Sequence, residues 1–143
     1  MNKTPHYQGP LLTVYQWEET LPDGSPILFE RCVRPDSVAI IPFLDRDTIL
    51  LVEESQLGRS DTFVDIPGGR VDAGEDALTA ARRELREELG YEAAELMLWE
   101  SMEYKGLVRF TQSIYVAKGL TPCVTPPTTH DATETITILP TRL

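Results

Sequence analysis

Gly69-Arg70-Val71-Asp72-Ala73-Gly74-Glu75, followed after seven residues by Arg83-Glu84-Leu85-Arg86-Glu87-Glu88-Leu89-Gly90-Tyr91, is the stretch on which the reading of this chain turns. A glycine loop opens it and a glutamate-rich helical segment closes it. Asp76 is placed to cap a helix from Ala77 to Leu89, and Gly90 supplies the stop just past its end. Positions i, i+3 and i+4 lie together on a helix. Glu84, Glu87 and Glu88 are therefore expected in one acidic patch, with Leu78, Ala81, Leu85 and Leu89 as an opposite, buried stripe. Like charges at these spacings cost roughly a few tenths of a kcal/mol per pair, a poor arrangement for stability alone. Glutamates on helices are most often a solvated face. A bound cation would reverse the sign of the cost, and oxygen-only donors without imidazole or thiolate suit a hard ion, Mg²⁺ first and Mn²⁺ second.

Outward from this stretch, Phe63-Val64-Asp65-Ile66 reads as a strand that Pro67 ends. Gly68 and Gly69 then permit backbone conformations closed to other residues. Further upstream, Ser37 to Phe43 and Thr48 to Glu53 are apolar runs around Asp45-Arg46-Asp47, which predicts a hairpin of buried strands. Leu11 to Trp17 and Ile27 to Val33 flank Leu21-Pro22-Asp23-Gly24-Ser25 and predict an N-terminal β-hairpin. Downstream, Glu95 to Met102, Val108 to Ala117 and Thr133 to Leu139 read as strands. Between the last two lies a Pro/Thr-rich loop, Thr121 to Thr129. Mixed strands around one helix give an α/β sandwich with a mixed sheet.

The 143 residues suit a single domain, 1–143, with the hairpin to about residue 36 preceding the core sheet. With 41% apolar and 25% charged residues, the composition is that of an ordinary soluble globule. No apolar run approaches the roughly 20 residues of a membrane span. Met1-Asn2-Lys3-Thr4-Pro5-His6 lacks the apolar core of a secretory signal, so the expected compartment is the cytoplasm and no membrane partner is expected. Cys32 and Cys123 are isolated, and with only His6 and His130 beside them they support no zinc cluster. They read as buried, reduced thiols. A net charge of −10 disfavours nucleic acid as a partner. An acidic protein still binds a polyphosphate when a cation stands between the two.

The spacing of residues 69–91 resembles the signature of the Nudix hydrolase family: Gly, five residues, Glu, seven residues, Arg-Glu-Leu-x-Glu-Glu-x-Gly and a bulky apolar residue. Seven fixed residues at roughly one in fifteen each put a chance match on the order of one in 10⁸ per start position. The resemblance implies the Nudix α/β/α sandwich with a central catalytic helix. Relatives usually carry a further C-terminal helix, and none is expected before Leu143. It also implies a metal set of Gly68, through its backbone carbonyl, with Glu84, Glu87 and Glu88. Catalytic candidates are Glu87 and Glu134 as alternative general bases, with Asp131 near enough to substitute, and Arg83 as an anchor for Glu75 or a neighbouring carboxylate. The plainer reading of Arg83 is a surface partner of Glu87.

Outside this box the chain is similar to the ADP-ribose pyrophosphatase branch at Asp23-Gly24, Ser37 to Pro42, Ile49 to Glu53 and Phe110 to Leu120. It departs from that branch at Glu54-Ser55-Gln56, at Pro67-Gly68-Gly69 and in lacking a proline near Leu107. The likeness implies hydrolysis of a pyrophosphate bond in a nucleoside diphosphate linked to another moiety, ADP-ribose or a related nucleotide sugar. Nucleoside triphosphates and dinucleoside polyphosphates are the alternative substrates, and a non-hydrolytic nucleotide-sugar-binding module is the alternative class. Trp17, Phe29, Trp99 and Tyr104 are candidates to stack a base. Arg31, Arg34, Arg59, Arg70 and Arg109 are candidate phosphate or ribose contacts, among which the sequence does not choose. Relatives often use the N-terminal segment against a second subunit, which implies a homodimer.

Overall fold

The computed structural model describes residues 4–56, 58, 60–124 and 134–143. In chain order it contains β1 (Pro5–Gln8), β2 (Thr13–Thr20), β3 (Pro26–Val33), β4 (Ser37–Pro42), β5 (Thr48–Gln56), β6 (Phe63–Asp65) and β7 (Gly68–Arg70). Then follow α1 (Ala77–Leu89), β8 (Tyr91–Lys105), β9 (Val108–Pro122) and β10 (Glu134–Arg142). The N-terminal hairpin forms as predicted, with Trp17 opposite Phe29 and its turn closed by Leu21 and Gly24 backbone bonds.

Strand β9 organises a mixed sheet of order β1-β2-β3-β9-β4-β7. β8 pairs antiparallel along one edge of β9. The other edge is shared: β3 runs parallel to it at Cys32↔Val108 and Val33↔Arg109, and β4 takes over from Ser37↔Gln112 to Pro42↔Ala117. The crossing from β3 to β4 therefore falls midway along the sheet. It is tied down by Arg34 N to Arg109 O at 3.2 Å, Thr111 N to Asp36 Oδ1 at 2.6 Å and Val71 N to Asp36 O at 2.8 Å.

The predicted hairpin of buried strands from Ser37 to Glu53 does not form as a hairpin. β4 and β5 meet only at the Phe43↔Ile49 bridge and then diverge, β5 joining a three-stranded sheet of order β10-β5-β6. The physical reason is that β4 is buried on both faces and pairs with β9 and β7, which leaves no edge for β5. β1 and β7 have no counterpart in the sequence reading. Gly68-Gly69-Arg70 has little strand propensity, and only its pairing with β4 makes it extended.

Helix α1 has the predicted bounds. The Asp76 carboxylate accepts from Thr79 N at 2.7 Å, and Gly90 closes the helix in the left-handed region at φ 69°. α1 packs on the mixed sheet, and Ala81, Leu85 and Leu89 join Val38, Ile40, Leu50, Val52, Tyr115 and Ala117 in one core cluster. Fully burying a side chain such as Leu85 contributes about 1.5–3 kcal/mol. The apolar stripe differs from expectation at its start: Leu78 is exposed and Ala80 is buried in its stead. This is a mixed α/β fold with a central helix on a mixed sheet, consistent with the Nudix sandwich; α1 is the one helix among the described residues. No helix there is long and apolar enough to cross a membrane.

Candidate active site

The buried face of α1 includes two of the three carboxylates. Glu84 keeps 8% and Glu88 9% of its surface exposed, whereas the Glu87 side chain keeps 40%. The acidic patch is therefore not opposite the apolar stripe but beside it, turned toward β7. Gly68 N donates to Glu88 Oε2 at 2.9 Å, which fixes that carboxylate against the loop. The two glycines serve by lacking a side chain, since neither has positive φ. A Cβ on Gly68 would lie 2.2 Å from the Val38 carbonyl oxygen, and one on Gly69 would lie 2.1 Å from Glu84 Oε1. The sequence expectation of a special backbone conformation there is thus replaced by close approach, first to β4 and then to the helix.

Arg83 is the hub of the patch. Its Nε and Nη2 reach Glu75 at 3.2 and 3.1 Å, its Nη1 reaches Glu84 at 2.8 Å and Glu87 at 3.0 Å, and Nη2 also donates to the Arg70 carbonyl at 2.8 Å. Arg83 thus bonds Glu75 and Glu87 alike. Burial pulls its pKa down, but the carboxylate bonds outweigh this and leave it raised. The Arg83 bonds hold the Glu75 carboxyl below its ordinary value. Burial pushes Glu84 up, only partly opposed by Arg83.

Arg83, Glu84, Glu87 and Glu88 line a cleft of about 1000 Å³ together with β4 at Ser37 to Ala39 and with Arg34 and Arg70. Among the described residues no three acidic, histidine or cysteine side chains converge as a preformed metal cage. The donor set nonetheless fits a hard cation: its ligands are oxygen-only and include two buried carboxylates, Glu84 and Glu88.

Sequence reasoning missed Glu54. It is buried and lines the cleft from β5, as the next inward position after Leu50 and Val52. The two-residue period of that apolar ladder was the available signal. Gly68, Arg83, Glu84, Glu87 and Glu88 all line this cleft. Glu134 opens β10 with its backbone opposite Gln56, and its side chain lies outside the described residues, as do Asp131, His130 and Arg59. Trp17 and Phe29 pack on each other with Arg31 over both rings, Tyr104 stacks on Phe110, and Trp99 is 63% exposed. None of these four candidate stackers lines the cleft. Arg109 is paired with Glu103 at 3.2 Å. Cys32 and Cys123 are free but half-buried rather than buried.

The NUDIX domain profile matches residues 33–130, more than half of the chain, including Gly68, Arg83, Glu84, Glu87 and Glu88. The chain belongs to the NUDIX domain family. Among its relatives is a methanol dehydrogenase activator of Bacillus methanolicus, 32% identical over 123 residues that cover 80% of this chain and 62% of that protein. Another is an ADP-ribose pyrophosphatase of Bacillus subtilis (strain 168), 32% identical over 90 residues, 63% of this chain and 49% of the relative. A crystal structure of an ADP compounds hydrolase superposes with a TM-score of 0.80 at 26% identity, over 99% of this chain and 76% of that one. The chain spans roughly half to three-fifths of the length of these curated relatives.

Proposed function

We propose that this NUDIX domain is a Mg²⁺-dependent pyrophosphohydrolase that cleaves the diphosphate of ADP-ribose or a related nucleoside diphosphate sugar. Family membership and the match to a solved ADP compounds hydrolase support catalytic activity. The observation that carries the reading is that Glu84, Glu87, Glu88 and Gly68 all line one cleft, where Glu88 accepts from the Gly68 backbone.

Glu84 and Glu88, with the Gly68 carbonyl, would hold the metal, and Glu87 would join them or serve as base. A magnesium ion held there would supply neutralising charge to phosphate oxygens and would lower the pKa of a water. Water adds to one phosphorus, the bridging P–O bond breaks, and AMP and ribose 5-phosphate result. Glu87 is half-buried and the most accessible of the three helix carboxylates, which suits a group that accepts the water's proton and returns it to solvent. Glu134 is the alternative base. Arg83 is a positioning residue, because it acts through the three carboxylates it bonds.

A panel of ADP-ribose, nucleotide sugars, nucleoside triphosphates and dinucleoside polyphosphates, with AMP and phosphate detection, tests the substrate. Cleavage of a triphosphate without AMP release from ADP-ribose would overturn it. The name of one relative, an activator, favours a second reading in which the domain binds a nucleotide sugar to regulate another protein. A homodimer through the N-terminal hairpin is also proposed, on the exposure of Ile27, Leu28 and Phe29 there. Sedimentation as a 16.1 kDa particle at micromolar concentration would refute it.

A further inference from the structure

The cleft carries more acid than base. Glu54, Asp65, Asp72, Glu84, Glu87 and Glu88 line it, against Arg34, Arg70 and Arg83. An anion entering this field needs cations that are not already committed. Arg83 is committed to Glu75, Glu84 and Glu87. Away from the cleft, Arg31 lies over Trp17 and Phe29, Arg86 pairs with Glu92, and Arg109 pairs with Glu103. Only Arg34 and Arg70 line the cleft without a carboxylate within ion-pair distance among the described residues.

These two differ in how they are held. Arg70 is exposed on β7, and no described residue orients its guanidinium. Arg34 stands at the crossing from β3 to β4, half-buried, with its guanidinium 4.2 Å from the Phe110 ring centroid. Phe110 is in turn stacked on Tyr104 at 4.5 Å and 8°. Nε donates to the Pro35 carbonyl at 3.3 Å, so a single N–H is spent and the planar fork is set in place by stacking. A guanidinium held in this way loses little rotational freedom when it takes a phosphate, and its remaining donors match paired phosphate oxygens.

We infer that Arg34, backed by the Phe110–Tyr104 stack, is the substrate-binding residue that takes the phosphate oxygens of the diphosphate in the cleft. This rests on the proposed reading that the substrate is a diphosphate. It makes Arg34 a determinant of selectivity for compounds with two linked phosphates over monophosphates.

The test is calorimetric titration of inorganic pyrophosphate with magnesium present into wild type, Arg34→Gln, Arg34→Lys, Phe110→Leu and Arg86→Gln, beside KM for ADP-ribose. Circular dichroism and melting curves establish that each variant is folded. Arg34→Gln is expected to weaken pyrophosphate binding and raise KM about tenfold or more, with kcat nearly unchanged. Arg34→Lys recovers part of the loss, Phe110→Leu loses about threefold, and Arg86→Gln, which lies away from the cleft, stays near wild type. Pyrophosphate affinity unchanged in Arg34→Gln, or no pyrophosphate binding by wild type, overturns the inference. Arg34-dependent pyrophosphate binding without cleavage of ADP-ribose upholds Arg34 and removes only the substrate. Cleavage of ADP-ribose with KM unaffected in Arg34→Gln removes Arg34 and leaves the substrate standing. Should Arg34→Gln fail to fold, Arg34→Lys and Phe110→Leu decide the matter, and wild-type affinity in both overturns it.

Discussion

Arg83 grips Glu75 with two prongs, Nε to Oε1 at 3.2 Å and Nη2 to Oε2 at 3.1 Å, across the junction between the glycine loop and α1. The same guanidinium holds Glu84 and Glu87, so the loop and the acidic face of the helix are fixed by one side chain. Glu75→Gln keeps the shape and removes the charge. It is expected to cost about 1 kcal/mol in urea unfolding, because a charge-assisted pair becomes a neutral one at a partly exposed site. The pH dependence has a definite sign. Glu75 is held below its ordinary value of 4.5, so its contribution is fully present above that pH and is lost as pH falls through the folded-state pKa. Stability below pH 4.5 should therefore fall less steeply in Glu75→Gln than in wild type; parallel acid limbs would contradict this role.

Gly68 and Gly69 should fail in different ways when replaced by alanine. At Gly68 the new methyl group meets backbone, the Val38 carbonyl oxygen, and the β4–β7 pairing must open. A loss of about 1–3 kcal/mol in stability is expected. At Gly69 the atoms nearest the methyl group are the end of the Glu84 side chain, which can swing away. Gly69→Ala should therefore keep most of its stability and lose turnover by about tenfold or more, since a displaced carboxylate no longer meets its partners. A melting curve and a steady-state assay on both variants check the pattern, and the reverse pattern would refute it.

Glu84 carries the opposite pH sign to Glu75. Its pKa is raised by burial, so its contribution to stability is greatest at low pH and is lost as pH rises from 4.5 through the raised value. At neutral pH without divalent metal, Glu84→Gln should match or exceed wild type in melting temperature. Added magnesium at about 100 times its Kd should stabilise wild type by about 2.7 kcal/mol and Glu84→Gln much less. An equal magnesium response in both would show that Glu84 is not a ligand.

Glu87→Gln and Glu88→Gln separate an enzyme from a binding module. The Glu88 amide oxygen can still accept from Gly68 N, so the fold should persist. Turnover should drop by about 10²–10⁴-fold, the scale of a lost base or metal ligand. If wild type binds a nucleotide sugar and shows no turnover, and the variants bind equally well, the regulatory module is the better reading.

The helix was legible in the sequence to the residue, because a carboxylate cap at Asp76, a run of good helix formers and a glycine at 90 act over a few positions and need no distant partner. The same locality made the 69–91 spacing and its carboxylates legible. Pairing was not local. Whether Ser37 to Pro42 would join Thr48 to Gln56 or the distant Val108 to Pro122 depended on which edges were free, and tertiary structure chose the latter. The reason for two glycines at 68 and 69 was equally hidden, since the Val38 carbonyl and the Glu84 carboxylate approach them only after β4 and α1 are packed. Selection among the arginines followed from the same cause: residue type gave each a charge, but only folding paired Arg83 and Arg109 with carboxylates and laid Arg34 on Phe110 at the cleft.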